Sequence, residues 1–356
     1  MTAPPPGTAA PSRAAPPSGA VPPSAAAAPS GAISPPGDAA PWRPVSSCDR
    51  GCLHPRPPTV GHLRRTLRIA AFLLLLAHLP LLALTRLAGH RVSDAAYRCY
   101  MRGILRSVGV RWTVTVHGAH APTSPVAPLV VSNHTSWLDV TVLPAALPVR
   151  LVSRADLRRW PVIGWIAALG RSLYVDRDRL STLPDSVARI TAALRRGDAV
   201  AVFAEGTTWC GAAGGRYRPA VFQAALDAGA AVRPVALRYR IAGAPTTGAS
   251  YVGPMSAAES LRNTAALRGL AVDVTFLPLI PPGTAPDRRS LAALAERAVD
   301  AHSPVALRCS RRHCSARHAG CTRCAGGPGE NDPVVRAPMT NEMNETSETN
   351  DLKGRR

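Results

Sequence analysis

The chain has 356 residues, 46% of them apolar, enough for one substantial core with appendages. It carries 42 Lys and Arg against 22 Asp and Glu, a net charge of +20, which points to an anionic partner: nucleic acid, lipid headgroups or a phosphorylated substrate. No helix-turn-helix, zinc-finger or base-stacking motif stands out among the dispersed arginines, so nucleic acid is not expected.

Residues 1–60 hold Pro-Pro, Ser-Gly and poly-Ala stretches that cannot build a core, and are read as a disordered extension. Met1 leads into Pro, Ala and Ser with no early apolar run, so no cleavable signal peptide is expected. The eight cysteines are therefore expected to be reduced, on the cytoplasmic side. Residues 61–92 form a basic-apolar-basic unit. Arg64, Arg65 and Arg68 precede an apolar run over 69–84, and Arg86 follows it. A spanning helix needs roughly 20 apolar residues. This run is slightly shorter, and His78 and Pro80 interrupt it. It predicts a membrane-associated helix or helix pair, either single-pass or lying in one leaflet with guanidiniums at headgroup level. A buried core helix is the alternative, and the flanking arginines disfavour it.

Residues 93–302 read as one α/β domain. A helix is predicted over 92–110, where Tyr97, Tyr100, Met101, Ile104 and Leu105 share a face. Strands over 128–131, 149–152, 173–175, 199–203, 232–237 and 272–277 alternate with helices over 137–146, 160–169, 183–194, 219–227 and 289–299. Such alternation predicts a central mixed sheet flanked by helices. From 303 to 356 the pattern collapses into Cys, His, Arg and Gly and then a polar tail, read as disordered.

Four blocks carry candidate chemistry. A short apolar strand leads into Asn133-His-Thr-Ser-Trp-Leu-Asp139, and residues at strand ends in α/β domains line the cleft. His134 and Asp139 are five apart, about 140° on a regular helix. They meet only if His134 precedes the helix and Asp139 sits in its first turns, with Thr135 or Ser136 as the cap. A His held by a carboxylate suits a general base; a surface His and an unrelated Asp are the bland alternative. The second block, 170–177, is a strand ending at Asp176 and Arg177, whose guanidinium suits a phosphate or a local ion pair. In the third, 201–208, Glu205 is expected to project into the cleft beside a turn at Gly206. Thr207, Thr208 and the Gly206 amide are candidate phosphate donors there, or else a capped tight turn. The fourth, Val232-Arg-Pro-Val235, is a strand whose Pro234 suggests an edge position. Cys210 admits a thioester-forming role or a buried, incidental one. Cys309, Cys314, Cys321 and Cys324 admit a zinc reading, whereas Cys48 and Cys52 lack a partner pair in the sequence.

Asn133 to Asp139 resembles the first motif, H-x-x-x-x-D, of the glycerolipid acyltransferases, above all the 1-acyl-sn-glycerol-3-phosphate (lysophosphatidic acid) acyltransferases. Arg177 falls where that family's second motif ends in Asp-Arg. Phe203-Ala-Glu-Gly-Thr207 resembles its third, F-P-E-G-T, with Ala204 in place of proline, and Val232 to Val235 its fourth. Thr208 stands where many members carry Arg or Ser. The likeness covers about residues 63–300. It implies direct acyl transfer from acyl-CoA or acyl-carrier protein to a lyso-lipid hydroxyl in phospholipid biosynthesis, at the cytoplasmic face of the cell membrane. His134 would be the base, oriented by Asp139, and Arg177, Glu205, Gly206, Thr207 and Thr208 would hold the acceptor. Neither metal nor cofactor is implied, and the acceptor is lysophosphatidate or another lyso-lipid such as lyso-ornithine lipid.

Overall fold

The computed structural model describes residues 44–53, 56–118, 126–303 and, as backbone, 307–309. Its helices are α1 (His62–Ala77), α2 (Leu79–Leu84), α3 (His90–Ser107), α4 (Asp139–Ala146), α5 (Ile163–Leu169), α6 (Leu183–Arg195), α7 (Phe222–Ala228), α8 (Ala257–Ala266) and α9 (Arg288–His302). Its strands are β1 (Arg111–Val116), β2 (Leu129–Ser132), β3 (Arg150–Arg154), β4 (Leu173–Val175), β5 (Val200–Phe203), β6 (Ala213–Gly215), β7 (Val232–Ile241), β8 (Ala244–Pro245), β9 (Leu270–Phe276) and β10 (Leu307–Cys309).

The main sheet runs β1-β9-β7-β2-β5-β3-β4, with β8 on β7. Its neighbours pair in parallel except β7 with β9 and β7 with β8, so the sheet is mixed. β2 and β5 lie at its centre and every residue of both is buried. Side chains alternate faces along a strand. Val130, Ala201 and Phe203 therefore join α3 and α4 in one core layer. Leu129, Val131, Val200 and Val202 join α6, α7 and α9 in the other.

Several expectations are refined. Pro234 does not mark an edge, because β7 lies between β2 and β9. Its carbonyl accepts from Leu277 N at 3.0 Å, one position beyond the last β9 pair, Val235 with Phe276. The Leu277 carbonyl opposite, which the missing N–H cannot serve, accepts instead from the Arg233 guanidinium at 2.9 Å. The helix expected over 160–169 starts only at Ile163, after a 3-10 turn over Ala155–Arg159 and a positive φ of 67° at Val162. β1 and α8 lay outside the expected elements.

Residues 44–60 were expected to belong to the disordered extension, yet most of them pack. Cys48 is buried, Arg268 N donates to Pro58 O at 2.8 Å, and Val60 N to Ala266 O at 2.8 Å. The remainder of 1–60 and nearly all of 303–356 lie outside the described residues.

α1, α2 and the following 3-10 turn form a helical stretch, His62–Ala88, long and apolar enough to cross a membrane. It breaks at His78, with Pro80 in the first turn of α2. α1 is not a core helix, since it buries no residue. Phe72, Leu75 and Leu76 lean on the core, while Leu67, Leu73, Leu74, Leu81 and Leu87 face outward. Beside α2 lies α5, tied to it by Arg86, whose guanidinium donates to Ala168 O at 2.5 Å. α5 adds exposed Ile163 and Trp165 to the same apolar surface.

Candidate active site

β2 ends at Ser132, and the chain must leave the sheet without abandoning β7. Asn133 solves this with its side chain. Its amide nitrogen donates to Leu237 O at 2.9 Å and its amide oxygen accepts from Leu237 N at 2.9 Å. The side chain thereby continues the β2–β7 ladder for one more position, and the backbone is free to turn at His134.

His134 is then held on every side but one. Its backbone N–H donates to Glu205 Oε2 at 2.8 Å, and its carbonyl accepts from Trp209 N at 2.8 Å. Its ring stacks on Phe203, with centroids 4.1 Å apart. Its Nδ1 lies 2.9 Å from Asp139 Oδ2. That bond fixes the tautomer, with the proton on Nδ1, and leaves Nε2 as the basic nitrogen. Only 18% of the His134 side chain is exposed, against none of the Asp139 side chain.

Asp139 is the first residue of α4, as the five-residue spacing requires. Neither Thr135 nor Ser136 caps that helix, whose N-cap is Leu138. Instead the Thr135 and Ser136 amides donate to Asp139 Oδ2 at 2.6 and 2.8 Å. The Tyr239 hydroxyl donates to Asp139 Oδ1. Four donors thus surround a buried carboxylate, the condition for keeping such a charge out of water. Burial first, and the Asp139 carboxylate second, hold the Tyr239 phenol well above its ordinary value, so it remains a donor. Tyr239 was not singled out in the sequence. Its signal was the β7 alternation Val235, Leu237, Tyr239, which places a polar tip among apolar neighbours.

The third block is built differently from the expectation. Glu205 is buried and turned inward, bonding His134 N and, at 3.2 Å, Gly215 N. It supports the base rather than projecting into the cleft. The Gly206 amide donates to Phe203 O at 3.0 Å, closing the turn, so it is not directed at a ligand. Gly206 has φ of 80°, and a Cβ there would meet Pro44 at 2.9 Å. Thr208 Oγ1 donates to Tyr251 O at 2.6 Å and ties this block to the loop before α8. Thr207 is half-buried in the same turn.

Arg177 follows β4 and donates to the Gly206 carbonyl. Burial, and next the Arg154 guanidinium, pull it down to about 10; Arg218 adds to this and Asp156 opposes it. It still carries its charge at neutral pH. Arg154 ends β3 and Arg218 follows β6, so Arg154, Arg177 and Glu205 all sit at or just beyond the carboxyl ends of parallel strands. Arg154 and Arg218 escaped the sequence reading because neither lies in a block. Arg154 is bridged to Asp156 at 2.8 Å. Cys210 is buried against Cys48 and Cys52, which does not favour a nucleophilic role.

Asn133→Ala should cost about 2–4 kcal/mol of stability, because two buried β7 backbone groups lose their partners. Chemical unfolding of the purified protein measures it; an unchanged midpoint would show that the clamp is dispensable.

A family model described as Acyltransferase matches residues 113–238. The chain is 35% identical over 180 residues to the lyso-ornithine lipid O-acyltransferase of Pseudomonas aeruginosa, covering 50% of this chain and 68% of that one. It is 30% identical over 259 residues to the lyso-ornithine lipid O-acyltransferase of Rhodobacter capsulatus, covering 68% and 92%. It is 28% identical over 200 residues to the 1-acyl-sn-glycerol-3-phosphate acyltransferase of Neisseria meningitidis, covering 56% and 77%. With the His134–Asp139 pair and all four blocks inside the matched segment, the chain belongs to the glycerolipid acyltransferase family and is an O-acyltransferase.

Proposed function

We propose that this enzyme transfers a fatty acyl group from acyl-CoA or acyl-carrier protein to the free hydroxyl of lysophosphatidate, giving phosphatidate. The observation that carries the reading is the held His134, with Nδ1 bound to Asp139 and Nε2 left to take a proton. The acceptor hydroxyl gives its proton to Nε2 as its oxygen attacks the thioester carbonyl. The tetrahedral intermediate collapses, the carbon–sulfur bond breaks, and the departing thiolate takes the proton from the imidazolium. Asp139 keeps the ring oriented and is complementary to the charge that forms on it. The thioester is already activated, so the step needs no cofactor beyond the donor.

The Arg154, Arg177 and Arg218 cluster supports an anionic headgroup at the carboxyl end of the sheet. Guanidinium forks match phosphate in geometry and charge. Thr207 is the remaining hydroxyl of the third block suited to a phosphate oxygen. Lyso-ornithine lipid is the second reading, favoured by the higher identity to the Pseudomonas aeruginosa and Rhodobacter capsulatus relatives. Its ornithine carboxylate would meet the same guanidiniums with half the charge of a phosphate monoester.

The enzyme works at an anionic bilayer surface, on its cytoplasmic face. α1 and α2 lie along the domain rather than projecting from it, and their outward leucines continue into Ile163 and Trp165. That arrangement favours a helix pair lying in one leaflet, with α5 dipping beside it.

Acyl transfer onto a panel of lyso-lipids tests the reading. His134→Ala should abolish turnover; full activity would remove the base from the mechanism. Tyr239→Phe strips one hydrogen bond from the Asp139 carboxylate, worth about 1.5–3 kcal/mol. It should lower kcat by about ten- to a hundredfold with little change in KM. Arg177→Ala should raise KM for lysophosphatidate far more than for a zwitterionic lyso-lipid, and equal losses would sink the phosphate role. Leu74→Glu combined with Trp165→Glu should weaken binding to anionic vesicles by about tenfold or more. Unchanged flotation with vesicles would place the bilayer elsewhere.

A further inference from the structure

Cys48 and Cys210 lie 162 residues apart in the chain, yet the Cys210 amide donates to Cys48 Sγ at 3.4 Å. Cys52 joins them, and the three sulfurs all lie within 4.8 Å of one another. All three are free thiols. Cys48 and Cys210 are buried among Trp209, Ala213 and Val252, while Cys52 sits at the rim of the cluster. Cys48 and Cys52 lack a nearby partner in sequence because the third thiol lies far along the chain, after the third block.

Backbone amides are aimed at two of the sulfurs. Besides the bond to Cys48, the Ala213 amide donates to Cys210 Sγ at 3.3 Å. Amide N–H groups aimed at sulfur stabilise negative charge there, as a metal-bound thiolate requires. Around a tetrahedral zinc with bonds of about 2.3 Å, sulfurs stand about 3.8 Å apart. The observed cluster needs little closure to reach that. A disulfide would use two of the three sulfurs, whereas a metal uses all of them.

We propose that Cys48, Cys52 and Cys210 form a structural site for a thiophilic divalent cation, zinc by its chemistry, which fastens segment 44–53 to the loop after the third block. Three thiolates and a water complete the tetrahedron, and the thiol protons pass to solvent on binding. The segment needs such a fastening. Its own regular structure is a single 3-10 turn, Arg50–Cys52, and its apolar contacts are confined to a small cluster. Its position bears on the active site, because Pro44 rests where a Gly206 side chain would be and Arg50 reaches Glu259 at 2.7 Å. The metal takes no part in acyl transfer.

The full chain, purified in detergent under reducing conditions without chelator, should carry about one zinc by elemental analysis. Cys210→Ser and the Cys48→Ser/Cys52→Ser pair should each lower this at least tenfold. A variant with Cys309, Cys314, Cys321 and Cys324 all changed to Ser should keep it. Reconstitution of the wild-type chain with cobalt should give a thiolate-to-metal charge-transfer band, which needs no variant to fold. Chelation should add three thiols to those reacting with a thiol reagent and open segment 44–53 to proteolysis. Absence of both zinc and the cobalt band in the wild-type chain would overturn the proposal. Loss of metal from the four-cysteine tail variant alone, or a Cys48–Cys210 disulfide in metal-free protein by mass, would overturn it equally.

Discussion

The structure depends on how firmly His134 is held just outside the sheet. A general base on a loop is useful only if its basic nitrogen does not wander, since misplacement by about 1 Å can cost a hundredfold in rate. Here four elements supply the restraint. Asn133 prolongs the β2–β7 ladder up to the residue before the base. Glu205, just past β5, takes its amide, and Trp209 gives an amide to its carbonyl. Asp139, opening α4, takes Nδ1, and Tyr239 on β7 braces Asp139 from behind. The order β7-β2-β5 sets these partners on both sides of the strand that leads into the base.

Much of this was legible in the residues. The five-residue spacing of His134 and Asp139 takes them off a shared helix face, so they can meet only with one before α4 and the other at its start. The strand-end positions of Arg177 and Glu205 follow from short apolar runs ending in turns. What could not be read was direction. Glu205 stands at a strand end whether it faces the cleft or the core, and only the fold shows its oxygens on the His134 and Gly215 amides. Asn133, Tyr239, Arg154 and Arg218 act across gaps in sequence; Tyr239 lies 100 residues from its partner Asp139. α8 carried a local signal that went unread: Ser256 accepts from Glu259 N at 3.1 Å, in the Ser-x-x-Glu pattern of a helix start.

α1 and the active site are also mechanically joined. Phe72 on α1 packs edge-on against Trp137, inside the first block, with ring centroids 5.9 Å apart. Tyr100 on α3 donates to the Leu75 carbonyl at 3.0 Å. A displacement of α1 would therefore reach the loop between His134 and Asp139 through direct contact. With α1 as the proposed membrane anchor, that coupling would tie the geometry of the base to the headgroup plane.

Charge is arranged along the same axis. Behind the base lie two buried carboxylates, Asp139 and Glu205, each wrapped in backbone amides or hydroxyl donors, so that little of their field reaches the mouth of the site. At the carboxyl end of the sheet stand Arg154 and Arg177, with Arg218 near enough for its charge to act on Arg177 and Asp156 opposing it. An anionic headgroup, on the proposed reading, would be drawn to these guanidiniums, and their charge would favour entry of that end of the lipid. Arg154 and Arg177 at the ends of the neighbouring strands β3 and β4, with Asp139 and Glu205 buried behind the base, would let one end of the sheet both choose the proposed acceptor and activate its hydroxyl.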